Sequence, residues 1–262
     1  MHSPLARQDR LGRILSPFPT IVPVASLLSL VLIWQLAAWW LASPLLPSPS
    51  AVFATLGEAV LTGELPHHLG ITLLRLGLSF TLAMILGCAL GILMGHHPRL
   101  DRWFDPWLTV FLNIPALVTI ILCYVWFGLT EAAAVTAVVV NKLPNVAVTL
   151  REGTRHLDRG LLEMARVYRF GRWKTLRHVI WPQLYPFVVT AARTGLALIW
   201  KIILVVELLG RSDGMGYQLH LFFQLFDVAG ILAYTIAFII VIQMIEWTLL
   251  QPLDRYANRW RR

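Results

Sequence analysis

The chain has 262 residues, of which 57% are hydrophobic and 14% are charged, with a formal net charge of +8 at pH 7. About a quarter of the residues of an ordinary soluble domain are charged, so the composition excludes that class and favours an integral membrane protein. A net positive charge is also found in nucleic-acid-binding proteins, but here membrane topology explains its distribution along the chain.

Six apolar segments are long enough to cross a bilayer, because a hydrocarbon core about 30 Å thick needs about 20 mostly apolar residues per helix. The runs do not alternate with period two, so they predict helices rather than barrel strands. Trp39 and Trp40 end the first run where a cleaved signal peptide has small residues, so we expect that run to remain as an anchor. The six segments are about Ile21–Leu41, Ile71–Met94, Trp107–Gly128, Ala132–Leu150, Pro186–Leu209 and Val228–Leu250.

The second predicted span contains small residues at every fourth position, namely Ala83, Gly87, Gly91 and Gly95. A stripe of this kind lets another helix approach closely, so that van der Waals contacts drive their association. The alternative explanation is that glycine is frequent in membrane helices generally. Four small residues in register favour a tight helix contact.

The third predicted span has Asn113 and Pro115 in its middle. Pro115 has no N–H, which leaves a backbone carbonyl near Phe111 without its usual donor. In a membrane that carbonyl needs another partner. A kink that faces a water-filled pathway provides one, and a simple bend explains the proline equally well.

The fourth and fifth predicted spans contain ionisable residues, each of which costs about 2.5–3.5 kcal/mol at the centre of a membrane helix. Lys142 lies beside Asn141 and near Asn145, and Lys201 precedes Glu207 by six residues. Such residues normally face the bundle interior or a water-filled path. Two interpretations stay open: the lysines raise the affinity of a pathway for an anionic solute, or one lysine forms a structural pair with Glu207.

The remaining polar residues within the spans have simpler explanations. Arg75 and Arg193 lie nearer span ends, where arginines extend towards water or form ion pairs. Cys88 and Cys123 lie inside predicted spans and are expected to be small packing residues. We therefore predict neither a disulfide framework nor a metal site.

The stretch at about 151–185, between the fourth and fifth spans, is rich in Lys and Arg and is called the basic loop below. Asp158 is suited to cap a first short amphipathic helix, and Gly171 permits a turn after it. A second amphipathic helix is expected to end at Pro182 and Pro186. Two such helices form either an interfacial anchor or a docking element for a partner.

Lys and Arg collect on one side of the predicted topology. Seventeen of the 22 lie in the two tails, the turn after the second span and the basic loop, whereas Arg211 stands alone in the opposite loops. Cytoplasmic loops retain Lys and Arg, so both termini and the basic loop are predicted to be cytoplasmic. Residues 43–70, 129–131 and 210–227 are then predicted to face outward.

Several stretches carry a family resemblance. The basic loop contains Glu163-Met164-Ala165 and ends with Trp181-Pro182, and further matching stretches are LLPSPSAV at 45–52, LLRLGLSF at 73–80, 113–128 and 205–217. Together they resemble the permeases of binding-protein-dependent ABC importers, over about residues 45–250, and in particular the sulfonate, taurine and nitrate branch. The resemblance implies the type I importer permease fold, an all-α integral membrane protein with six transmembrane helices.

In the resembled family this loop is a coupling helix that inserts into a cleft of the ATPase subunit. The family usually has a glycine six residues after the glutamate, where this chain has Arg169. A non-glycine residue disfavours the left-handed conformation, so we expect the turn to move to Gly171. The implied ATPase-coupling residues are Glu163, Met164, Ala165, Arg166, Arg169 and Gly171.

The corresponding spans line the translocation pathway in the resembled permeases. Glu207 matches a recurrent acid of the family, whereas Lys142 and Lys201 stand where its members usually have apolar residues. The implied pathway residues are Asn113, Pro115, Asn141, Lys142, Lys201 and Glu207.

The sequence contains no G-x-x-x-x-G-K-[ST] motif for binding nucleotide. The resemblance implies a chain that is not an enzyme and has no cofactor. It implies the permease subunit of a bacterial ATP-driven importer, which carries a small anionic organic or inorganic solute, such as a sulfonate, taurine, nitrate or a vitamin precursor, by alternating access. The implied partners are two ATPase subunits, a second permease copy, an outer solute-binding protein and membrane lipid, with no nucleic acid.

The predicted organisation places the N-terminal tail, first span and outward loop in residues 1–66, the permease core in 67–250 and a basic tail in 251–262, with the chain in the bacterial plasma membrane. One alternative function is an ion-gradient-driven secondary transporter, which often shows internal repeats; no clear repeat is present. A second is a membrane enzyme, which would require clustered His, Asp or Glu at one membrane face.

Overall fold

The computed structural model describes residues 21–252, and the predicted tails lie mostly outside them. The described chain is built from helices joined by short connections. Two π-helical turns, Leu176–Ile180 and Glu246–Leu250, interrupt or extend them. The helices are α1 Ile21–Leu41, α2 Pro49–Leu61, α3 Glu64–His96, α4 Pro98–Asn113, α5 Ala116–Phe127, α6 Glu131–Arg155, α7 Arg159–Val167, α8 Arg172–Thr175, α9 Trp181–Gly210, α10 Met215–Gln224 and α11 Val228–Ile245.

Four helices of the described chain are long and apolar enough to cross a membrane: α3, α6, the continuous helix that ends in α9, and α11 with its π-helical extension. A fifth span results if the bent pair α4 and α5 is counted as one. α1 covers the predicted first segment. Its stretch Ala25–Leu41 is apolar but shorter than the helices counted as spans. The predicted all-helical membrane class is confirmed, whereas the count of six spans is not.

The predicted third span is not one straight helix. The axes of α4 and α5 meet at 99° across a break at Ile114 and Pro115. A residue before proline favours the extended conformation, and Ile114 has φ −72° and ψ 124°. The N–H groups of Val118 and Thr119 donate to the Pro115 carbonyl, which starts α5 in a new direction. The proline therefore breaks the segment instead of bending it.

The second helix of the basic loop does not end at Pro182 and Pro186, contrary to the prediction. The chain is helical without a break from Arg172 to Gly210, and both prolines lie inside this helix. The N–H of Trp181 donates to the carbonyl of Leu176, five residues earlier, in a π-helical turn. The wider turn lies just before Pro182, whose nitrogen has no hydrogen to donate.

α6 is the central helix, because α3, α4, α5 and α9 all contact it. In the most apolar stretch of α6, 56% is buried inside the protein, whereas the corresponding figure for the most apolar stretches of α3 and α11 is 28%. The small residues of α3 face it: a Cβ atom added at Gly87 would lie 2.6 Å from Cβ of Val146, and one added at Gly91 would lie 2.8 Å from Cβ of Leu150. Larger residues at these positions would push the two helices apart.

Candidate functional site

A group of charged side chains joins α3, α6 and α9 at one end of the bundle. We call it the Arg75 network. Glu207 of α9 is fully buried, and its carboxylate accepts hydrogen bonds from the Arg75 guanidinium at 2.8 Å and from the Thr72 hydroxyl at 2.9 Å. A buried carboxylate requires such donors, because removal from water is otherwise costly. The members of the network are Thr72, Arg75, Glu131, Glu207, Arg211 and Asp213.

Arg75 is the centre of this network. Its guanidinium donates to Glu131 at 2.6 and 2.8 Å, to Glu207, and to both the carboxylate and the carbonyl of Asp213. Arg211 shares Glu131 at 2.5 Å. Arg75 therefore forms ion pairs, as its position near a span end predicts. The interpretation in which Glu207 neutralises a lysine is wrong.

The loop after α9 turns back over Glu207. Gly214 has φ 104°, a conformation that favours glycine. A Cβ atom added there would lie within 2.5 Å of the Glu207 carboxylate. The N–H of Gly216 donates to that carboxylate at 2.9 Å, and the N–H of Gly214 donates to Nδ1 of His68 at 3.1 Å. These glycines thus allow the backbone of the loop to approach the buried carboxylate of Glu207.

A second ion-pair group, the Arg151 network, lies at the other end of α6. Arg151 pairs with Asp101 at 3.3 Å and also with Asp105, and Arg155 pairs with Asp101. Glu152 pairs with Arg155 at 3.0 Å. Asp105, Glu152 and Arg155 are substantially exposed, unlike Arg75 and Glu207. This network fastens α4 to α6 beside the start of the basic loop.

The predicted pathway residues do not form one cluster. Asn113 is exposed at the end of α4, where its amide donates to the Thr109 carbonyl at 2.7 Å, and Pro115 is exposed at the break. Asn141 is half-buried on α6, and Glu207 belongs to the Arg75 network. The set is therefore spread along the length of the bundle.

The two predicted pathway lysines lie in different environments. Lys142 is 2% exposed, and its side chain contacts α9 at Gly195. Lys201 is on the exposed side of α9, with its ammonium 5.3 Å from the centroid of the Trp200 ring. One lysine is thus inside the bundle and the other on its surface.

The basic loop begins with a capped helix, as the sequence predicts. α7 starts at Arg159, and the Asp158 carboxylate accepts from the N–H groups of Gly160 at 2.7 Å and Leu161 at 3.3 Å. The Asp158 N–H donates to the Gln183 side chain at 2.8 Å, which ties the cap to α9. The loop is therefore a defined element attached to a long helix.

The turn after α7 remains at Arg169, so the expectation that it moves to Gly171 is wrong. Arg169 has φ 51°, whereas Gly171 is extended with φ −63°. The N–H of Phe170 donates to the Ala165 carbonyl at 2.8 Å and the N–H of Arg169 to the Arg166 carbonyl at 3.0 Å. These two bonds form the Schellman ending of a helix. They hold a non-glycine residue in a conformation that costs about 1–2 kcal/mol.

The outer surface of the basic loop is both apolar and basic. Ala165 is buried on the inner side of α7, while the predicted coupling residues Glu163, Met164, Arg166, Arg169 and Gly171 are exposed. Trp173 is 73% exposed, and Val167 and Tyr168 are similarly open. Exposed apolar side chains gathered among charges are typical of a protein interaction site.

Sequence reasoning missed most of the Arg75 network. Thr72, Glu131 and Asp213 lie on three separate parts of the chain, and Arg75 is 132 residues from Glu207. No local pattern connects residues at that separation. The signals available were two matching stretches: 73–80 contains Arg75, and 205–217 contains Glu207 and Asp213, but neither stretch indicates that these residues meet.

Comparison with known proteins gives consistent results. Residues 80–247 match the family described as binding-protein-dependent transport system inner membrane component. A putative aliphatic sulfonates transport permease protein of Bacillus subtilis is 30% identical over 234 residues, which cover 88% of this chain and 84% of that protein. The taurine transport system permease protein of Escherichia coli is 27% identical over 233 residues, covering 87% and 84%.

The fold also matches a solved structure. An amino acid ABC transporter crystallised with histidines superposes with a TM-score of 0.62 at 21% sequence identity, covering 77% of this chain and 97% of that one. At this identity the likeness concerns the fold alone. It agrees with the helical membrane architecture described above.

Proposed function

This chain belongs to the family of inner membrane components of binding-protein-dependent transport systems, and on that premise we propose which solute it carries and how it is driven. The solute is a small organic anion of the sulfonate class, and the permease core is residues 67–250. The chain acts as a pair of copies, each bound to an ATPase subunit on the cytoplasmic side. Both termini and the basic loop lie in the cytoplasm.

The observation that carries the proposal is the exposed surface of the basic loop. The sequence contains no P-loop, so energy from ATP must enter through a partner. α7 presents Glu163 and Arg166 beside exposed Val167 and Tyr168, and its cap fixes it to α9. A short rigid helix with apolar and charged side chains suits insertion into a groove of another protein.

The exposed side of α9 supports a pathway for an anion. This side carries Thr190, Thr194 and Lys201 within a membrane-spanning helix. Lipid solvates an ammonium poorly, so such residues normally face a protein interior or water. We place this side of α9 next to a second copy of the chain, where Lys201 attracts the anion.

The solute class follows from the relatives and from this charge. The names of two relatives refer to aliphatic sulfonates and taurine, which share a sulfonate group. In the proposed cycle, ATP closes the paired ATPase subunits and brings the two basic loops together. The helices attached to the loops then rock, so that the pathway opens outward to the solute-binding protein.

The test is recovery of the ATPase with the purified permease. We expect Glu163→Ala to reduce the recovered ATPase at least fivefold, because that carboxylate lies on the exposed side of α7. Glu58→Ala is the matched control, since Glu58 is an exposed acid on α2, outside the basic loop. Solute uptake at full rate in vesicles that lack the ATPase would contradict the proposal and favour a transporter driven by an ion gradient.

A further inference from the structure

Two cationic side chains are buried in the described part of the chain, Arg75 and Lys142. Arg75 is surrounded by three carboxylates. Lys142 has none: among residues 21–252, its ammonium forms no ion pair and no hydrogen bond. A lone charge of this kind is strongly disfavoured in a membrane interior.

The Lys142 side chain lies where α6 faces α3 and α9. A Cβ atom added at Gly195 of α9 would lie 3.1 Å from Cε and 3.9 Å from Nζ of Lys142. The ring of Phe80, on α3, is 3.5 Å from the same point. The missing side chain at Gly195 therefore leaves the room that the lysine occupies.

The polar side chains close to Lys142 in sequence, and the one that extends the small stripe on α3, carry N–H or O–H donors and no carboxylate. Asn141 and Asn145 are half-buried on either side of Lys142, and their carboxamides form no hydrogen bond within the described chain. Asn145 is three residues after Lys142, a spacing that brings two side chains to one side of a helix. Ser79 continues the four-residue spacing of the small stripe on α3, and its hydroxyl is buried without a partner in the described structure.

We propose that Lys142 is the centre of a binding site for a small monovalent anion inside the membrane, with the carboxamide of Asn145 as a further donor. A bound anion neutralises the ammonium and accepts hydrogen bonds that no protein group in the described chain accepts. Two sources have this chemistry: the sulfonate group of the carried solute, and an inorganic anion such as chloride. The first source rests on the proposed function, whereas the site itself does not.

The first experiment measures the melting temperature of the purified permease–ATPase complex in lipid nanodiscs. Sodium chloride, sodium nitrate and sodium ethanesulfonate are each compared with sodium gluconate at equal ionic strength. We expect the wild-type complex to melt at least 3 °C higher in one or more of the small anions, with saturation as the anion concentration rises. Lys142→Met should abolish the shift, and Lys142→Arg should retain it.

Leu143→Met is the matched control, because it changes a neighbouring side chain of α6 without removing charge. It should keep the full shift. The proposal is overturned if Lys142→Met keeps the anion-dependent shift, or if the wild-type complex shows no shift in any of the three salts. A higher melting temperature for Lys142→Met in every salt, with no shift in the wild type, would identify the lysine as a neutral packing residue.

The second experiment identifies the source of the anion, using uptake of labelled ethanesulfonate by proteoliposomes that contain the complex and its solute-binding protein. If the solute occupies the site, Lys142→Met lowers uptake at least tenfold with unchanged recovery of the ATPase. If an inorganic anion occupies it, uptake is unchanged although the melting shift is lost. Absence of wild-type uptake would contradict the proposed solute class, and the melting experiment would still decide the site.

Discussion

The two ends of α6 use similar residues in different surroundings. In the Arg75 network the central arginine and Glu207 are almost completely buried, whereas in the Arg151 network Arg155 and Glu152 are each more than 40% exposed. Exposed ion pairs contribute about 0–1 kcal/mol each, because water and salt screen them. Removing one partner of a buried pair costs about 3–5 kcal/mol, because the other charge is left without compensation. We infer that the buried Arg75–Glu207 pair is a fixed joint and that the pairs made by Arg155 are weak contacts, while Arg151 and Asp101 at the centre of the second network are themselves mostly shielded from water.

The largest effect is expected from removing the central guanidinium. Arg75→Met leaves Glu131, Glu207 and Asp213 with only Arg211 as a cation, so the free energy of unfolding should fall by about 3–5 kcal/mol. Thermal unfolding of the purified protein in detergent measures it. Arg102→Met, at an exposed site, should change it by less than about 0.5 kcal/mol. Equal effects of the two substitutions would show that the buried network is not a joint.

A smaller effect is expected from the backbone that covers the same network. Gly214→Ala forces a side chain into a positive-φ conformation, which costs about 1–3 kcal/mol. It also places Cβ against the Glu207 carboxylate. Gly63→Ala is the control, since Gly63 also has a positive φ but open space around it. Gly214→Ala should therefore lower the melting temperature more than Gly63→Ala, and the reverse order would exclude close packing over Glu207.

The smallest effect is expected at the Arg151 network. Arg155→Met removes pairs to Asp101 and Glu152 that are partly exposed, so the loss for the two pairs together should be no more than about 2 kcal/mol. The loss should shrink further in 1 M salt, where the screening length is about 3 Å. Unfolding of wild type and variant at two salt concentrations measures it. A loss as large as that of Arg75→Met would remove the distinction between the two ends.

Local signals in the sequence predicted local structure well. The end of α1 at Leu41 and the first residue of α7 agree with the sequence, because the end of an apolar run and an Asp158 cap act over a few residues. The break at Pro115 was also signalled by its missing N–H, although the 99° angle depends on how α4 and α5 pack. The membrane class and family followed from the same kind of evidence.

Features set by contacts between distant residues were not predictable in this way. The partner of Glu207 is Arg75, which no periodicity indicates, and Lys201 was an equally plausible partner along the chain. At Arg169, hydrogen bonds at the helix end outweighed the residue's own conformational preference. At Pro182, a π-helical turn allowed the helix to continue where proline normally ends one.

The unbroken helix from Arg172 to Gly210 has a mechanical consequence. It has 39 residues, and at about 1.5 Å per residue it is roughly 58 Å long. One end belongs to the basic loop, and the other reaches Glu207 and the turn at Gly214. The Arg75 network holds the Glu207 end of this rod against α3 and α6, so a pull on the basic loop acts on a long lever whose far end is anchored. The π-helical turn and Pro186 interrupt the regular hydrogen bonds of this lever, so any bend in it is expected at one of these two places.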